Sequence, residues 1–325
     1  MDNKEILQII KKKIKKARIK SVLRFPGKLC LDMKDGVVTI TINKESVQEN
    51  MQKDDSAFEG WVLCIKAAMD DDKICWKFVL DWGEPQCLNN IDRQHYQRFL
   101  YRANKFDEIF GGDGGWFSIK DKRRLTALKI QYDINRRYCL NTSSTEDDKR
   151  LSESKKNTES ALENYIIKNQ KRLSSFKKIC SAKLKRQLPV GVFKDSVSAK
   201  NTILPGKKSA IDIWGVNKDV LYIFELKDEN NVKVGVLSEM FFYAMIISDE
   251  QNKKIWRDST EGEEVRATDR IVAHLLTPRL HPFITEKVFN LINAAFNKKH
   301  KNITFGHIRF SIVDGRVINN FSLCN

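Results

Sequence analysis

Residues 209–216 (SAIDIWGV) and 220–227 (VLYIFELK) decide the fold of the second half of this chain. Short runs rich in Ile, Val, Tyr and Phe, bounded by polar turn residues, are typical of strands that are covered on both faces. Only Asn217, Lys218 and Asp219 separate the two runs. This predicts a tight hairpin, in which Asn217 is suited to a left-handed conformation.

Charged side chains interrupt the apolar runs at Asp212, Glu225 and Lys227. A buried charge is costly unless it pairs or binds an ion. With a two-residue loop, Val220 pairs with Asn217 and Asp212 lies opposite Glu225, with Cβ atoms about 4.5–5.5 Å apart. A three-residue loop would shift this register by one residue. In either case, alternation along the strand puts Glu225 and Lys227 on the same face.

Two opposed carboxylates repel each other unless a cation lies between them. Asp212 and Glu225 are therefore a candidate site for a hard divalent ion, Mg²⁺ or Mn²⁺. Lys227, on the same face, is suited to orient or deprotonate a water, or to neutralise charge that builds up on a phosphate. We expect Asp212, Glu225 and Lys227 to be the catalytic residues.

An Asp on one strand followed by Glu-x-Lys on the next resembles the PD-(D/E)xK nuclease superfamily. The match is Asp212, then Glu225-Leu226-Lys227, with Ile211 where the family name has Pro. The resemblance covers roughly the last half of the chain. It implies a restriction-endonuclease-like core with a central mixed sheet flanked by helices. It also implies that the Leu226 carbonyl joins Asp212 and Glu225 in holding Mg²⁺ or Mn²⁺.

The element upstream of the motif also agrees with the superfamily. Residues 161–169 have helical character, and Glu163 matches the acid that the first helix of the family often lends to the metal. Glu159, four positions earlier on the same face, is its competitor. Because of its match to the family, Glu163 is the residue that we expect to help hold the metal, directly or through a water.

Downstream of the motif, residues 234–248 predict a packed helix that carries Glu239 and Tyr243 four positions apart. The pair resembles a Gln-x-x-x-Tyr element of some helicase-associated members, with Glu in place of Gln. We expect both residues to cap or pack the helix first, and Tyr243 to contact nucleic acid second. An apolar segment, a helix and a final strand are predicted after it, at 270–277, 285–297 and 303–313.

A basic balance favours nucleic acid as the partner. The chain has 58 Lys and Arg against 42 Asp and Glu, a formal net charge of +16 and a pI near 9.4. Such a charge favours contact with phosphates, although a solvated basic surface is the simpler alternative. We expect DNA more than RNA as the partner. The candidate contacts are Lys168, Lys171, Arg172, Lys207 and Lys208.

Length and composition predict two domains. The chain has 325 residues, 41% of them hydrophobic, which is enough for two cores. The polar segment 141–160 is the best linker, giving an N-terminal α+β domain at 1–145 and a nuclease-like domain at 146–325. The predicted fold class is thus α/β, α+β overall. We expect the first domain to be a recognition or regulatory module.

The N-terminal domain shows alternating and helical patterns. Residues 36–42 predict a strand, 61–69 and 73–82 predict strands joined at 70–72, and 91–110 predict a helix. Its aromatic residues could stack on bases, but such residues are more often core.

Several other classes of protein are disfavoured. Seven cysteines without a C-x-x-C pair predict reduced thiols in a cytoplasmic protein. His274 and His281 lack cysteine partners, so a zinc site is not expected. Neither a signal peptide nor an apolar run near twenty residues is found, so no membrane partner is expected.

The sequence therefore predicts a metal-dependent nuclease, a DNA endonuclease in restriction or antiviral defence. The alternative is a non-catalytic or partner-dependent nucleic-acid-binding subunit on the same fold. Whether the protein forms a homodimer or joins a partner subunit is left open by the sequence.

Overall fold

The computed structural model describes residues 3–13, 25–70, 75–86, 88–130, 137–143, 159–206, 209–229, 233–313 and 316–324. These residues form helices and mixed sheets, so the predicted α+β class is confirmed. They divide into two compact units. Unit 1 consists of Met1–Ile130, Lys233–Glu239 and His281–Lys299. Unit 2 consists of Gln131–Val232, Met240–Leu280 and His300–Asn325.

The described helices and strands are numbered in chain order. The helices are α1 Asn3–Lys13, α2 Phe58–Met69, α3 Asn90–Phe110, α4 Glu159–Asn169, α5 Ser174–Ile179, α6 Gly235–Gln251, α7 Thr260–Arg266 and α8 Glu286–Lys298. The strands are β1 Leu29–Lys34, β2 Val37–Ile42, β3 Lys77–Trp82, β4 Phe117–Ile119, β5 Tyr138–Leu140, β6 Lys183–Pro189, β7 Val192–Lys194, β8 Thr202–Leu204, β9 Ala210–Asn217, β10 Val220–Leu226, β11 Arg270–Leu276, β12 Ile303–Val313 and β13 Arg316–Cys324.

Unit 1 is built on a four-stranded sheet in the order β1-β2-β3-β4. The hairpin β1–β2 is antiparallel, whereas β2–β3 and β3–β4 are parallel. Parallel neighbours need a crossover, and α2 and α3 supply the two crossovers. The predicted strand at 36–42 and helix at 91–110 are confirmed as β2 and α3.

The predicted strand at 61–69 is wrong, because these residues belong to α2. Eleven of the 12 residues of this helix are buried. A helix buried on all sides has no polar face, so its sequence lacks the 3.6-residue period and resembles a buried strand. Residues 71–74 lie outside the described residues, and β3 accounts for the end of the predicted strand at 73–82.

Aromatic side chains form the core of unit 1. Six of those considered for base stacking are buried: Trp61, Trp76, Trp82, Tyr96, Tyr101 and Phe117. A buried ion pair joins α2 to α3: Arg102 Nε donates to Glu59 Oε1 at 2.6 Å, and Arg102 Nη2 donates to Ser56 O at 2.9 Å. The core interpretation of these aromatic residues is confirmed.

Two segments from the second half of the sequence belong to unit 1. Gly235 N donates to Asp54 Oδ1 at 3.2 Å, and Gln52 Nε2 donates to Glu239 Oε1 at 2.5 Å. From the later segment, the ring of Phe283 lies 6.0 Å from that of Trp61. The domain boundary at residue 145 stays a prediction, and a fragment cut there would lack both segments.

Unit 2 is built on a six-stranded mixed sheet in the order β13-β12-β11-β10-β9-β6. The strands β10, β11 and β12 are parallel, and the remaining neighbours are antiparallel. A smaller sheet has the order β5-β7-β8. Beside it Arg257, which is fully buried, donates to Asn141 O and Pro189 O at 2.6 Å each and pairs with Glu250 at 3.1 Å.

The hairpin between β9 and β10 has the predicted register. Val220 pairs with Asn217, and Phe224 pairs with Ile213. The two-residue loop is therefore confirmed. The left-handed residue is Lys218, with φ of +55°, and not Asn217 as expected.

One face of the main sheet packs against α4 and α5. Its core includes Ile213, Phe224 and Leu226 from the hairpin, with Ile166 of α4 and Phe176 of α5. Because side chains alternate along a strand, the residues between them point to the opposite face. Asp212 and Glu225 therefore share a face that is not the face covered by α4 and α5.

The described cysteines Cys30, Cys64, Cys75, Cys139, Cys180 and Cys324 are free thiols. Among the described residues, no helix is long and apolar enough to cross a membrane. Most of the predicted linker, residues 144–158, lies outside the described residues.

Gly60→Ala in α2 is expected to lower the free energy of unfolding by about 1–3 kcal/mol, although Ala usually stabilises a helix interior. A Cβ atom at Gly60 would lie 2.6 Å from both the carbonyl oxygen and Cγ1 of Val234. Gly27→Ala is the control, because nothing lies within 4 Å of an added Cβ there. Urea unfolding would measure both, and an unchanged midpoint for Gly60→Ala would contradict the expectation.

His274→Leu is expected to reduce the loss of stability in acid. Burial, with a smaller contribution from His307, lowers the pKa of His274 from 6.5 to about 4. Between these values the unfolded chain binds a proton at His274 that the folded chain does not bind, so stability falls as the pH drops through this window. The variant lacks this linkage. Its free energy of unfolding minus that of wild type is therefore expected to be roughly 2 kcal/mol higher at pH 5 than at pH 7.5.

Urea unfolding of wild type and His274→Leu at several pH values between 4 and 7.5 would test this. A constant difference in the free energy of unfolding across that range would show that His274 does not titrate as described.

Candidate active site

The strands β9 and β10 separate next to Asp212. Their main-chain ladder runs as far as Ile213 and Phe224, and continuing the register puts Asp212 opposite Glu225. Beyond this point a side chain replaces the main-chain hydrogen bonds between the two strands. Asp212 Oδ2 of β9 accepts a hydrogen bond from Leu226 N of β10 at 2.9 Å. β9 stays paired with β6, and β10 with β11. The separation therefore lies within the sheet and not at its edge.

Glu225 and Lys227 form a buried ion pair at the end of β10. Their exposed fractions are 3% and 5%, and Lys227 Nζ contacts Glu225 Oε1. The main chain of Lys227 is fixed as well, since its N–H donates to Leu276 O of β11 at 3.0 Å. The predicted shared face of Glu225 and Lys227 agrees with this contact.

Of the two acids on α4, Glu159 is the one close to this cluster. Its Oε2 lies 3.8 Å from Lys227 Nζ, and its side chain is 37% exposed. Asp212, Glu225 and Lys227 with Glu159 beside them form the candidate active site.

Glu163, the acid expected to assist the metal, is hydrogen-bonded to two side chains of β6. Arg186 of β6 holds its two oxygens, from Nε at 2.9 Å and from Nη2 at 3.1 Å. Gln187 Nε2 donates to the same oxygens at 3.2 and 3.3 Å. The side chain of Glu163 is thus held against β6 while Glu159 extends toward Lys227. The sequence did not reveal this, because Arg186 belongs to a segment that stands out only by its positive charge.

Gln187 has an unusual backbone conformation for a strand residue. Its φ is +48°, which is uncommon for a residue other than glycine. It lies between Arg186 and Leu188, which pair with Ile213 and Ile211 of β9. Gln187 is therefore next to Asp212 in the sheet. With this backbone conformation, the side-chain amide of Gln187 reaches Glu163.

The residues of the cluster fit a hard divalent cation. Asp212, Glu225 and the Leu226 carbonyl offer only oxygen ligands, as Mg²⁺ and Mn²⁺ prefer. No group of three or more His, Cys, Asp or Glu side chains suited to a metal occurs within the described ranges. A cation here would rely on two carboxylates, a carbonyl and water, which is a set that Mg²⁺ accepts in proteins.

Of the expected phosphate contacts, Lys168 lies near the end of α4, and Lys171 and Arg172 follow this helix. Lys168, Lys171 and Arg172 are at least partly exposed. Lys168 is at the opposite end of α4 from Glu159, about 13 Å along the helix axis. This placement does not bring Lys168 to the cluster.

The remaining candidate contacts are also not brought to the cluster. Tyr243 is 4% exposed, which favours packing within α6 over contact with nucleic acid. Lys207 and Lys208 lie outside the described residues.

Comparison of the chain with protein-family models, with curated proteins and with solved structures finds no match. The link to the PD-(D/E)xK superfamily therefore stays a resemblance. It rests on Asp212, Glu225 and Lys227 and on the order of the elements around them.

Glu163→Gln is expected to lower the free energy of unfolding much more than Glu159→Gln does. Removing the charge of Glu163 leaves Arg186 without its buried partner and is expected to cost about 3 kcal/mol of stability. Glu159→Gln changes a carboxylate that is 37% exposed and 3.8 Å from Lys227 Nζ, and is expected to change stability by less than about 0.5 kcal/mol. Urea unfolding of both proteins would measure the difference. Equal stability losses would contradict the assignment of Glu163 to the structural pair.

Proposed function

We propose that unit 2 is a metal-dependent nuclease that hydrolyses phosphodiester bonds, with DNA as the favoured substrate. The observation that carries the proposal is the cluster of Asp212, Glu225 and Lys227 at the point where β9 and β10 separate. Glu225 and Lys227 are buried and Asp212 is half-buried, which is costly for charged groups, and a site that binds a cation and a phosphate gives this cost a reason. The net charge of +16 supports nucleic acid as the substrate class.

Asp212, Glu225 and the Leu226 carbonyl would hold Mg²⁺ or Mn²⁺. When bound, such an ion lowers the pKa of a water and neutralises charge on the phosphate. Asp212 is oriented for this role by the hydrogen bond from Leu226 N. This bond also fixes the end of β10 from which the third ligand, the Leu226 carbonyl, would come.

Lys227 would position the attacking water and stabilise the charge that develops on the phosphate. As an ammonium group it donates up to three hydrogen bonds and accepts none. Its contact with Glu225 Oε1 and its main-chain bond to Leu276 O hold it at the end of β10. A fixed donor costs little reorganisation during reaction, which is how such groups lower a barrier.

A partner-dependent or non-catalytic nucleic-acid-binding subunit is the second candidate. The observation that favours it is the engagement of both Glu163 oxygens by Arg186 and Gln187. In this arrangement both carboxylate oxygens of Glu163 already accept hydrogen bonds from β6. A partner or ligand that releases Glu163 would then be needed for full activity, as suits an enzyme of restriction or antiviral defence.

Asp212→Asn, Glu225→Gln and Lys227→Ala are each expected to lower Mg²⁺-dependent cleavage of DNA by at least about 100-fold. The amide introduced by Asp212→Asn keeps an oxygen that can accept from Leu226 N, so this variant should fold normally. Asp219→Asn is the matched control, because it removes an exposed carboxylate at the other end of the same hairpin. Cleavage of linear and supercoiled DNA and of RNA, with Mg²⁺ and with EDTA, would be measured.

Calorimetric titration with Mg²⁺ or Mn²⁺ separates the two candidates. The nuclease proposal expects binding by wild type and by Asp219→Asn, and no binding by Asp212→Asn. A protein that binds nucleic acid but neither binds the metals nor cleaves any substrate would support the non-catalytic alternative.

A further inference from the structure

We propose that Arg279 binds a backbone phosphate of the nucleic acid next to the reacting phosphodiester. The inference rests on the proposed function, and it adds a substrate contact that neither the motif nor the basic clusters indicate. Arg279 stands in the loop that follows β11, three residues after the strand ends at Leu276.

The position of Arg279 is set by the parallel pairing of β10 and β11. Leu226, the last residue of β10, lies beside Leu276, the last residue of β11. Parallel strands place their carboxyl ends at one edge of a sheet, so Lys227 and the loop that carries Arg279 leave the sheet together. Open sheets bind ligands outside the carboxyl ends of such strands.

A direct hydrogen bond ties the two loops to each other. Arg279 Nε donates to Glu229 O at 2.9 Å. Glu229 is two residues after Lys227, so the Cα atoms of these two residues lie within roughly 7 Å of each other. The remaining donors of the planar guanidinium are its two Nη groups, which are the pair that binds phosphate oxygens in a fork.

Thr277 holds the backbone of this loop in place. Its Oγ1 donates to Arg279 O at 2.7 Å and accepts from Arg279 N at 3.3 Å. Its own main chain is fixed by Ile308 O, at 3.2 Å from its N, and by His307 Nε2, at 3.0 Å from its O. Arg279 is therefore presented by a rigid loop, although its side chain is exposed.

Within the described residues of unit 2, no carboxylate lies within ion-pair distance of Arg279. Arg186, Arg257 and Arg266 all lie within ion-pair distance of a carboxylate. Arg279 forms no ion pair with any residue of the described ranges, and its guanidinium reaches only the carbonyl of Glu229. An ordered, exposed guanidinium beside a reacting phosphate suits a phosphate partner better than a structural role.

Arg270 provides a matched control. It is exposed like Arg279 but opens β11, whereas Arg279 follows its end. The six steps of the strand separate Arg270 from Leu276 by about 20 Å. Arg270→Ala and Arg279→Ala therefore make the same change in net charge at opposite edges of one sheet.

The test measures binding of fluorescein-labelled single- and double-stranded DNA by anisotropy in EDTA, over a range of salt concentrations. Arg279→Ala is expected to raise Kd about ten-fold and to lower the slope of log K against log salt by about one. Arg270→Ala is expected to change Kd by less than about two-fold. Arg279→Lys keeps the charge but loses the fork, so it should restore the salt slope more fully than the affinity.

Cleavage with Mg²⁺ by the same proteins distinguishes failure of this inference from failure of the nuclease proposal. If wild type cleaves DNA but Arg279→Ala and Arg270→Ala weaken binding equally, the Arg279 contact is refuted and the nuclease proposal stands. If only Arg279→Ala weakens binding but wild type cleaves nothing, the contact stands and the nuclease proposal fails. Absence of binding by wild type to DNA and RNA would overturn both. Thermal unfolding would confirm that both variants fold.

Discussion

The ion pair of Glu225 and Lys227, almost fully removed from water, is the interaction on which the candidate site of unit 2 depends. Removing a carboxylate and an ammonium from water costs several kcal/mol for each, and their mutual attraction often does no more than offset this cost. Apolar residues of similar size would serve the sheet as well or better. The fold of β10 and β11 therefore does not require these two charges, and a function at the strand end is the better explanation for them.

Other buried ion pairs in the chain are different, and the difference is informative. Arg102 in unit 1 and Arg257 in unit 2 each bind a carboxylate together with main-chain carbonyls from another segment. Each of these arginines joins segments that are distant in sequence. The pair of Glu163 and Arg186 has the same character, because it joins α4 to β6. Glu225 and Lys227 are two residues apart in sequence, so their contact with each other does not join distant segments, although Lys227 also lies 3.8 Å from Glu159 of α4.

The sequence predicted those elements whose pattern reflects one exposed and one buried face, or a clear turn. The register of the β9–β10 hairpin followed from its two-residue loop, and α3 followed from its helical spacing. The helix α2 was mistaken for a strand because burial on every side removes its period. The sequence favoured Glu163 over Glu159 as a metal ligand, although four residues apart they share a helical face. Arg186, from a strand 23 positions after Glu163, pairs with it, and no local pattern in α4 predicts this contact.

Net charge is a weaker guide to the site than the placement of single charges. The cluster at Lys168–Arg172 is the kind of feature that composition favours, yet Lys168 lies about 13 Å along α4 from Glu159. Solvent-exposed charges are largely screened beyond about 8–10 Å at physiological salt. Such a cluster can raise the general affinity for a polyanion, but it contributes little to the potential at the reacting phosphate. Arg279, in contrast, is hydrogen-bonded to the loop that follows Lys227. In the proposed nuclease, the few charges that the sheet places at the ends of β10 and β11 would govern the chemistry, and the basic balance of the whole chain would govern only how readily a nucleic acid reaches them.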